Sequence, residues 1–272
     1  MQAIILLGGQ GTRLRALYPD RPKALVPVAG RPFIEWQIDW LQRGGVTHFH
    51  LAAGHMADAI EAWAAQQDLS ITVTREPEPL GTGGAVAYVR PHLQPGAFWV
   101  VNGDTLLPNL DFQRLENEAK TFPTIGKNSA KVSNDWKNEQ KVFQRLEKTA
   151  QKFPTIGKTS QNFSNDWTVT LAVTRIEAAG RFGTVEFVED GRITAFLEKA
   201  DRQAGWINGG VYRIEPDALG LVPAGHAYSL ETELFPQLVA DGRLRAARVD
   251  PPLLDMGTPE GLTEMERWLT QT

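Results

Sequence analysis

The sequence of 272 residues contains no cysteine, which excludes a disulfide scaffold, thiolate zinc sites, iron–sulfur clusters and thiol catalysis. Long apolar runs are missing as well, since none approaches the roughly 20 residues that a membrane-spanning helix needs. The opening Met1-Gln2-Ala3-Ile4-Ile5-Leu6-Leu7 has no basic residue ahead of its apolar run and passes at once into glycines, so no signal peptide is expected. Excess positive charge is absent too. The formal net charge is −4, which gives no general attraction to nucleic acid. With 42% hydrophobic and 22% charged residues, the chain is too apolar for disorder and long enough to bury a sizeable core. The expectation is a soluble, cytoplasmic protein with no nucleic-acid or membrane partner.

Lysine is scarce outside one segment. Of ten lysines, eight fall within residues 112–167, leaving only Lys23 and Lys199 elsewhere. The same segment holds an internal repeat with a period of 31. Phe112–Trp136 aligns with Phe143–Trp167, identical at 17 of 25 positions. Val132, Trp136, Phe143, Leu146, Ala150 and Phe153 follow helical spacing, bounded by Phe-Pro-Thr-Ile-Gly breakers. Residues 112–167 therefore read as an inserted helical tandem repeat. It is a candidate homodimerisation or partner-binding arm, with a duplicated surface helix as the plainer alternative.

The remaining chain alternates strand-like and helical patterns. Short apolar runs at 3–7, 48–53, 70–74 and 97–101 alternate with helical patterns at 33–41, 57–65 and 84–89. This order predicts a largely parallel sheet covered on both faces. Further strands are expected at 168–174, 184–188, 193–197 and 207–214, then helices at 230–239 and 259–269, the last capped by Thr258 ahead of Pro259.

The first run ends in Leu7-Gly8-Gly9-Gln10-Gly11-Thr12-Arg13-Leu14, with Pro22-Lys23 close behind. Glycines after a buried strand let backbone approach a ligand, and their N–H groups can cradle phosphate. Leu14 stands where a dinucleotide fingerprint needs its third glycine, and Thr-Arg follows Gly11 where a Walker loop needs Lys-Ser/Thr. What remains is a phosphate loop with two cations, Arg13 and Lys23, suited to a triphosphate and a departing pyrophosphate. Asp104 closes the apolar run ending Val101-Asn102-Gly103. In open parallel sheets that is the ligand-binding end, and an acid there suits a hard cation. The five histidines lack zinc spacing, and no nucleophile elbow appears.

The string GGQGTRL…RPKALVPVAGRP resembles the signature of the sugar-1-phosphate nucleotidyltransferases, or sugar-nucleotide pyrophosphorylases, and later landmarks recur in register everywhere except residues 112–167. The resemblance implies a Rossmann-like, GT-A type three-layer α/β sandwich with a mostly parallel mixed sheet over residues 1–272, carrying the inserted repeat. It also implies NTP and sugar 1-phosphate as substrates and Mg²⁺ as cofactor, with Arg13 and Lys23 as catalytic groups. Nucleotide binding would fall to Leu7, Gly8, Gly9, Gly11, Thr12, Arg13, Lys23, Glu76, Gly81, Thr82, Gly83, Asn102 and Asp104. The turn Leu80-Gly81-Thr82-Gly83-Gly84-Ala85 would meet base and ribose, although such a turn also serves as helix-start punctuation. Asp104 and Asp255, the latter in Asp255-Met256-Gly257-Thr258-Pro259-Glu260, would hold Mg²⁺. Phe196-Leu197-Glu198-Lys199 and Asn208-Gly209-Gly210-Val211-Tyr212 match sugar phosphate and sugar elements, implicating Glu198, Lys199, Asn208 and Gly209. Phe182 and Ser229-Leu230-Glu231 match positions that close over the sugar. The motif combination looks most like the D-glycero-D-manno-heptose 1-phosphate guanylyltransferase branch. N-acetylmuramate or hexose 1-phosphate transferases are the alternatives, with a non-catalytic sugar-nucleotide-binding scaffold as the reading from another class.

Overall fold

The computed structural model describes residues 1–121, 167–177, 183–197, 204–223 and 225–271. A nine-stranded mixed sheet forms the centre. Its parallel core runs β6 (Phe98–Asn102), β1 (Gln2–Leu7), β4 (His48–Ala53), β5 (Ile71–Arg75) in spatial order. The register pairs Leu6 with both Asn102 and Ala52, and Leu7 with Ala53. Because these strands run the same way and stop at one level, the loops after Leu7, Ala53, Arg75 and Asn102 all open at one end of the sheet.

Beyond β6 the sheet turns antiparallel. β11 (Gly205–Ile214) pairs with β6, with β8 (Val169–Ile176) and with β9 (Thr184–Phe187). β10 (Ile193–Leu197) pairs with β9, and β12 (Leu244–Val249) lies parallel to β8. Two short ribbons stand apart, β2 (Pro27–Val28) with β3 (Arg31–Pro32), and β7 (Thr105–Leu106) with β13 (Leu254–Asp255). The sheet is thus mixed, as the family resemblance implies, and its centre is parallel, as the alternation of patterns predicts.

Side-chain alternation along β1 shows why both faces are covered. Ala3, Ile5 and Leu7 enter one core, with α2 (Phe33–Arg43), α3 (Ala57–Ala64) and the helix Pro259–Gln271. Ile4 enters the other, with α4 (Gly81–Val89) and the helix Phe235–Ala240. The expected helix over 230–239 is two pieces, a π-turn at Leu230–Leu234 followed by Phe235–Ala240. Pro236 has no N–H to donate to an earlier carbonyl, so regular α-helical pairing cannot run through it. Thr258 Oγ1 accepts from Gly261 N at 3.1 Å, the cap read from sequence.

The first residues of the repeat belong to this fold. Phe112–Thr121 forms α5, and Phe112 is 2% exposed, edge-on to Trp40 and Trp99 with centroids 5.0 and 4.8 Å away. Arg213 Nε lies 3.2 Å from Glu116, with both side chains nearly dry, and Arg245 reaches Glu118 at 3.2 Å. Breaking a pair as buried as Arg213–Glu116 costs about 3–5 kcal/mol. Residues 122–166, including the apolar stripe from Val132 to Phe153, lie outside the described residues.

One strand residue makes stability depend on pH. His50 on β4 is 4% exposed, and neither ring nitrogen has a hydrogen-bond partner among the described residues. Burial lowers its pKa, and the nearby His92 and His48 add to the lowering. The unfolded chain therefore takes up a proton below about pH 6.5 while the folded chain does not. Stability is complete above that pH and is lost as the pH falls through the window beneath it. The melting temperature of His50→Leu should fall less between pH 7.5 and 5.5 than that of the wild type, as thermal scans at a series of pH values would read.

Candidate active site

A cleft of about 510 Å³ opens at the carboxyl ends of the parallel strands. Ten of the residues expected to hold nucleotide line it: Leu7, Gly8, Gly9, Gly11, Lys23, Glu76, Gly81, Thr82, Asn102 and Asp104. Leu6, Gln10, Pro79, Ala85 and Gly103 contribute to the same wall. Gly11 adopts φ +55°, a left-handed conformation, and a Cβ there would sit 3.2 Å from Lys23 Cβ. The glycine therefore lets the loop fold back against the stem of Lys23. Thr12 and Arg13 begin the short helix α1 (Thr12–Arg15) with exposed side chains outside the cleft wall.

Lys23 Nζ donates to Asp104 Oδ2 at 2.6 Å, and Thr105 Oγ1 donates to Asp104 Oδ1 at 3.0 Å. Asp255 comes to the same place through the β7–β13 ribbon, which sets it opposite Thr105 while Met256 N donates to the Asp104 carbonyl at 3.0 Å. Burial raises the pKa of Asp255, and the charge of Asp104 raises it further. A bond from Gly257 N at 2.7 Å and the charges of Lys23 and Arg13 oppose the rise. Two neighbouring hard oxygen donors that repel each other fit a magnesium-type cation, which takes one or two protein carboxylates and fills its shell with water and phosphate oxygens.

Glu76 follows β5, and its Oε2 accepts from Leu80 N at 3.1 Å. Burial holds this carboxyl above the usual range, partly offset by that bond. Gly83 is buried away from the cleft wall, and Gly83 N and Gly84 N donate to the Tyr228 carbonyl at 2.8 and 3.0 Å. In this fold those two glycines also admit a neighbouring chain segment. Thr82 Oγ1 donates to Glu231 Oε2 at 2.6 Å, linking α4 to the π-turn. Asn208 Nδ2 donates to the Tyr212 hydroxyl at 3.0 Å, and that hydroxyl donates to Glu231 Oε1 at 3.2 Å. Tyr212 is fully buried, and burial together with the charge of Glu231 keeps its hydroxyl protonated well above the ordinary range. Gly209 is buried against Leu107 and the Ala172 carbonyl. Glu198, Lys199 and Phe182 lie outside the described residues.

Comparison with known proteins settles the family. The profile described as a MobA-like NTP transferase domain matches residues 3–126, and the nucleotidyl transferase profile matches residues 127–272. The chain belongs to the nucleotidyl transferase family. A mannose-1-phosphate guanylyltransferase of Mycobacterium tuberculosis is 32% identical to this nucleotidyl transferase, over 96% of its length and 62% of the relative's. The chain thus spans less than two thirds of that protein. A D-glycero-alpha-D-manno-heptose 1-phosphate guanylyltransferase of Campylobacter jejuni is 28% identical over 96% of each chain. HddC from Yersinia pseudotuberculosis, solved also in complex with GMP-PN, shares the fold with a TM-score of 0.72 at 22% identity, covering 98% of this chain and 99% of its own. The names of the first two relatives match the sugar-1-phosphate nucleotidyltransferases that the motifs of this chain resemble.

Sequence reasoning missed Gln37. This residue of α2 is fully buried, and its Nε2 donates to the carbonyls of Asn102 and Thr105, each at 2.9 Å. The available signal was a polar residue within the apolar stripe Phe33, Ile34, Ile38, Leu41. The pairing of the two acids gives a direct test of the site's electrostatics. In Asp104→Asn, Asp255 loses a repelling charge and should titrate at lower pH than in the wild type, as carboxyl carbon NMR would follow.

Proposed function

We propose that this transferase makes an NDP-sugar and pyrophosphate from an NTP and a sugar 1-phosphate, with GTP and D-glycero-D-manno-heptose 1-phosphate as its substrates. The carrying observation is the convergence of Lys23, Asp104 and Asp255 at the mouth of a glycine-walled cleft. A phosphate oxygen of the sugar 1-phosphate attacks the α-phosphorus of the NTP, a new P–O bond forms, and the bond to the β-phosphate breaks. The nucleophile is already an anion, so no general base is needed. The work lies in holding two repelling anions in line and neutralising charge on the leaving group.

Asp104 and Asp255 would hold Mg²⁺, whose chemistry when bound is to offset phosphate charge and orient the α-phosphate. The loop Gly8–Gly11 offers backbone N–H groups to the phosphates. Lys23 and Arg13 stabilise the departing pyrophosphate. Glu198, Lys199, Asn208 and Gly209 bind the sugar phosphate.

Glu76 supports guanine as the base. An ionised carboxylate only accepts hydrogen bonds, and the guanine edge presents adjacent N–H donors. Uracil and thymine offer a single N–H flanked by two carbonyl oxygens that would face the carboxylate unfavourably. The guanylyl transfer named for the mycobacterial and Campylobacter relatives agrees with that choice. The two relatives differ in their sugar, and full-length coverage of the heptose enzyme favours heptose here over mannose.

The first test is pyrophosphate release with Mg²⁺ across NTPs and sugar 1-phosphates including heptose, mannose and N-acetylmuramate. A signal confined to GTP with heptose 1-phosphate is expected, and a stronger signal with another pair overturns the substrate assignment. In the same assay Lys23→Ala or Asp104→Ala should lower kcat by roughly 10²–10³-fold, the scale of losing one key electrostatic group. Wild-type turnover in either variant would sink the mechanism. Replacing the acceptor in Glu76→Gln should reduce kcat/KM for GTP by about 10–100-fold, the worth of one charge-assisted contact, and reduce it less for UTP.

A further inference from the structure

We propose that Gln37 is a positioning residue for Asp104, acting by clamping the backbone turn that presents it. The carbonyls of Asn102 and Thr105 bracket Gly103-Asp104, and both accept from the single amide nitrogen of Gln37 at 2.9 Å. Only a group with two protons on one atom, set at this reach, can serve both carbonyls from an apolar helix face. Leucine and methionine have no proton to give, and a glutamate would aim negative charge at two carbonyl oxygens. Two further bonds complete the fixing of the turn, Gly103 N to the Leu6 carbonyl at 3.1 Å and Met256 N to the Asp104 carbonyl at 3.0 Å. The turn is therefore tied to β1, to the β13 segment and to α2.

Packing alone does not account for this residue. The Oε1 of Gln37 is buried with no hydrogen bond among the described residues, a cost that an apolar side chain of the same length would avoid. The polar side chain gives in return a fixed direction for the Asp104 carboxylate, which meets Lys23 Nζ at 2.6 Å and the Thr105 hydroxyl at 3.0 Å. A turn free to rock would move that carboxylate relative to Asp255, and the loss would fall on catalysis rather than on nucleotide affinity.

The inference rests on the nucleotidyl-transfer reading for its catalytic part, and amide hydrogen exchange tests the clamp without it. In Gln37→Leu, peptides spanning 101–107 should exchange at least tenfold faster than in the wild type, while peptides of β4 are unchanged. Turnover should fall by about 10–100-fold with KM for GTP within about twofold of wild type. Because Gln37 acts through Asp104, adding Gln37→Leu to Asp104→Ala should cost little more than Asp104→Ala alone. Unchanged exchange at the turn overturns the clamp. An equal fractional loss of kcat in the wild-type and Asp104→Ala backgrounds overturns the positioning role. Should Gln37→Leu fail to fold, Gln37→Met keeps the unbranched length and carries the same comparisons. If the wild-type protein turns over no NTP and sugar phosphate pair, the reaction assignment fails, and exchange at the turn still decides the clamp.

Discussion

The acidic site depends on a two-residue ribbon. The pairing of Leu254-Asp255 with Thr105-Leu106 joins segments far apart in the chain and sets two carboxylates side by side at the end of the parallel strands. Burial raises the pKa of Asp255, and repulsion from the neighbouring Asp104 charge adds to the rise. Folding free energy from the rest of the molecule holds them there. Lys23 offsets part of the repulsion now, and a bound cation would offset it further. The glycine loop, the Lys23 turn and the clamp from α2 can all be understood as the means of keeping these charges where a triphosphate would meet them.

A second constraint lies on the other side of the cleft. Glu231 receives hydrogen bonds from Thr82, Tyr212 and Ser229, so one carboxylate ties together α4, β11 and the π-turn. Irregular helical turns recur at functional sites because they redirect a side chain without ending the helix. Here the wide turn brings Glu231 under Thr82, which itself accepts from Leu230 N at 2.9 Å. The turn that opens α4 and the strand carrying Asn208 are thereby parts of one hydrogen-bonded unit.

Much of this was legible in the sequence because the decisive residues sit in contiguous strings. Gly8 to Gly11 and Asp104 stand directly after strands, so local pattern placed them at one end of the sheet, with Lys23 close behind the loop, while Asp255 was reached only through the family resemblance. The parallel order of β1, β4, β5 and β6 followed from helices long enough to cross over between them. Long-range pairings left less trace. Nothing in a string predicts that Gln37 reaches residues 65 and 68 positions away, except its being polar on an apolar face. Self-similarity marked residue 112 as the start of a repeat, yet could not reveal that Phe112, Leu115 and Glu116 fill places in the host core and against Arg213. Helical spacing over 230–239 was correctly read as helical. Its wide first turn depends on contacts from α4 and on Pro236, and periodicity carries neither.

The anchoring of α5 has a consequence for how the chain tolerates length. Phe112 between two tryptophans, with the ion pairs at Glu116 and Glu118, completes this side of the core before residue 122. On the far side β8 is fixed by its ladders to β11 and β12. The entropy of closing a longer connection between these two anchors grows only with the logarithm of its length. The contacts that fix α5 and β8 are made within the described residues, so added sequence between the two anchors would leave those contacts in place.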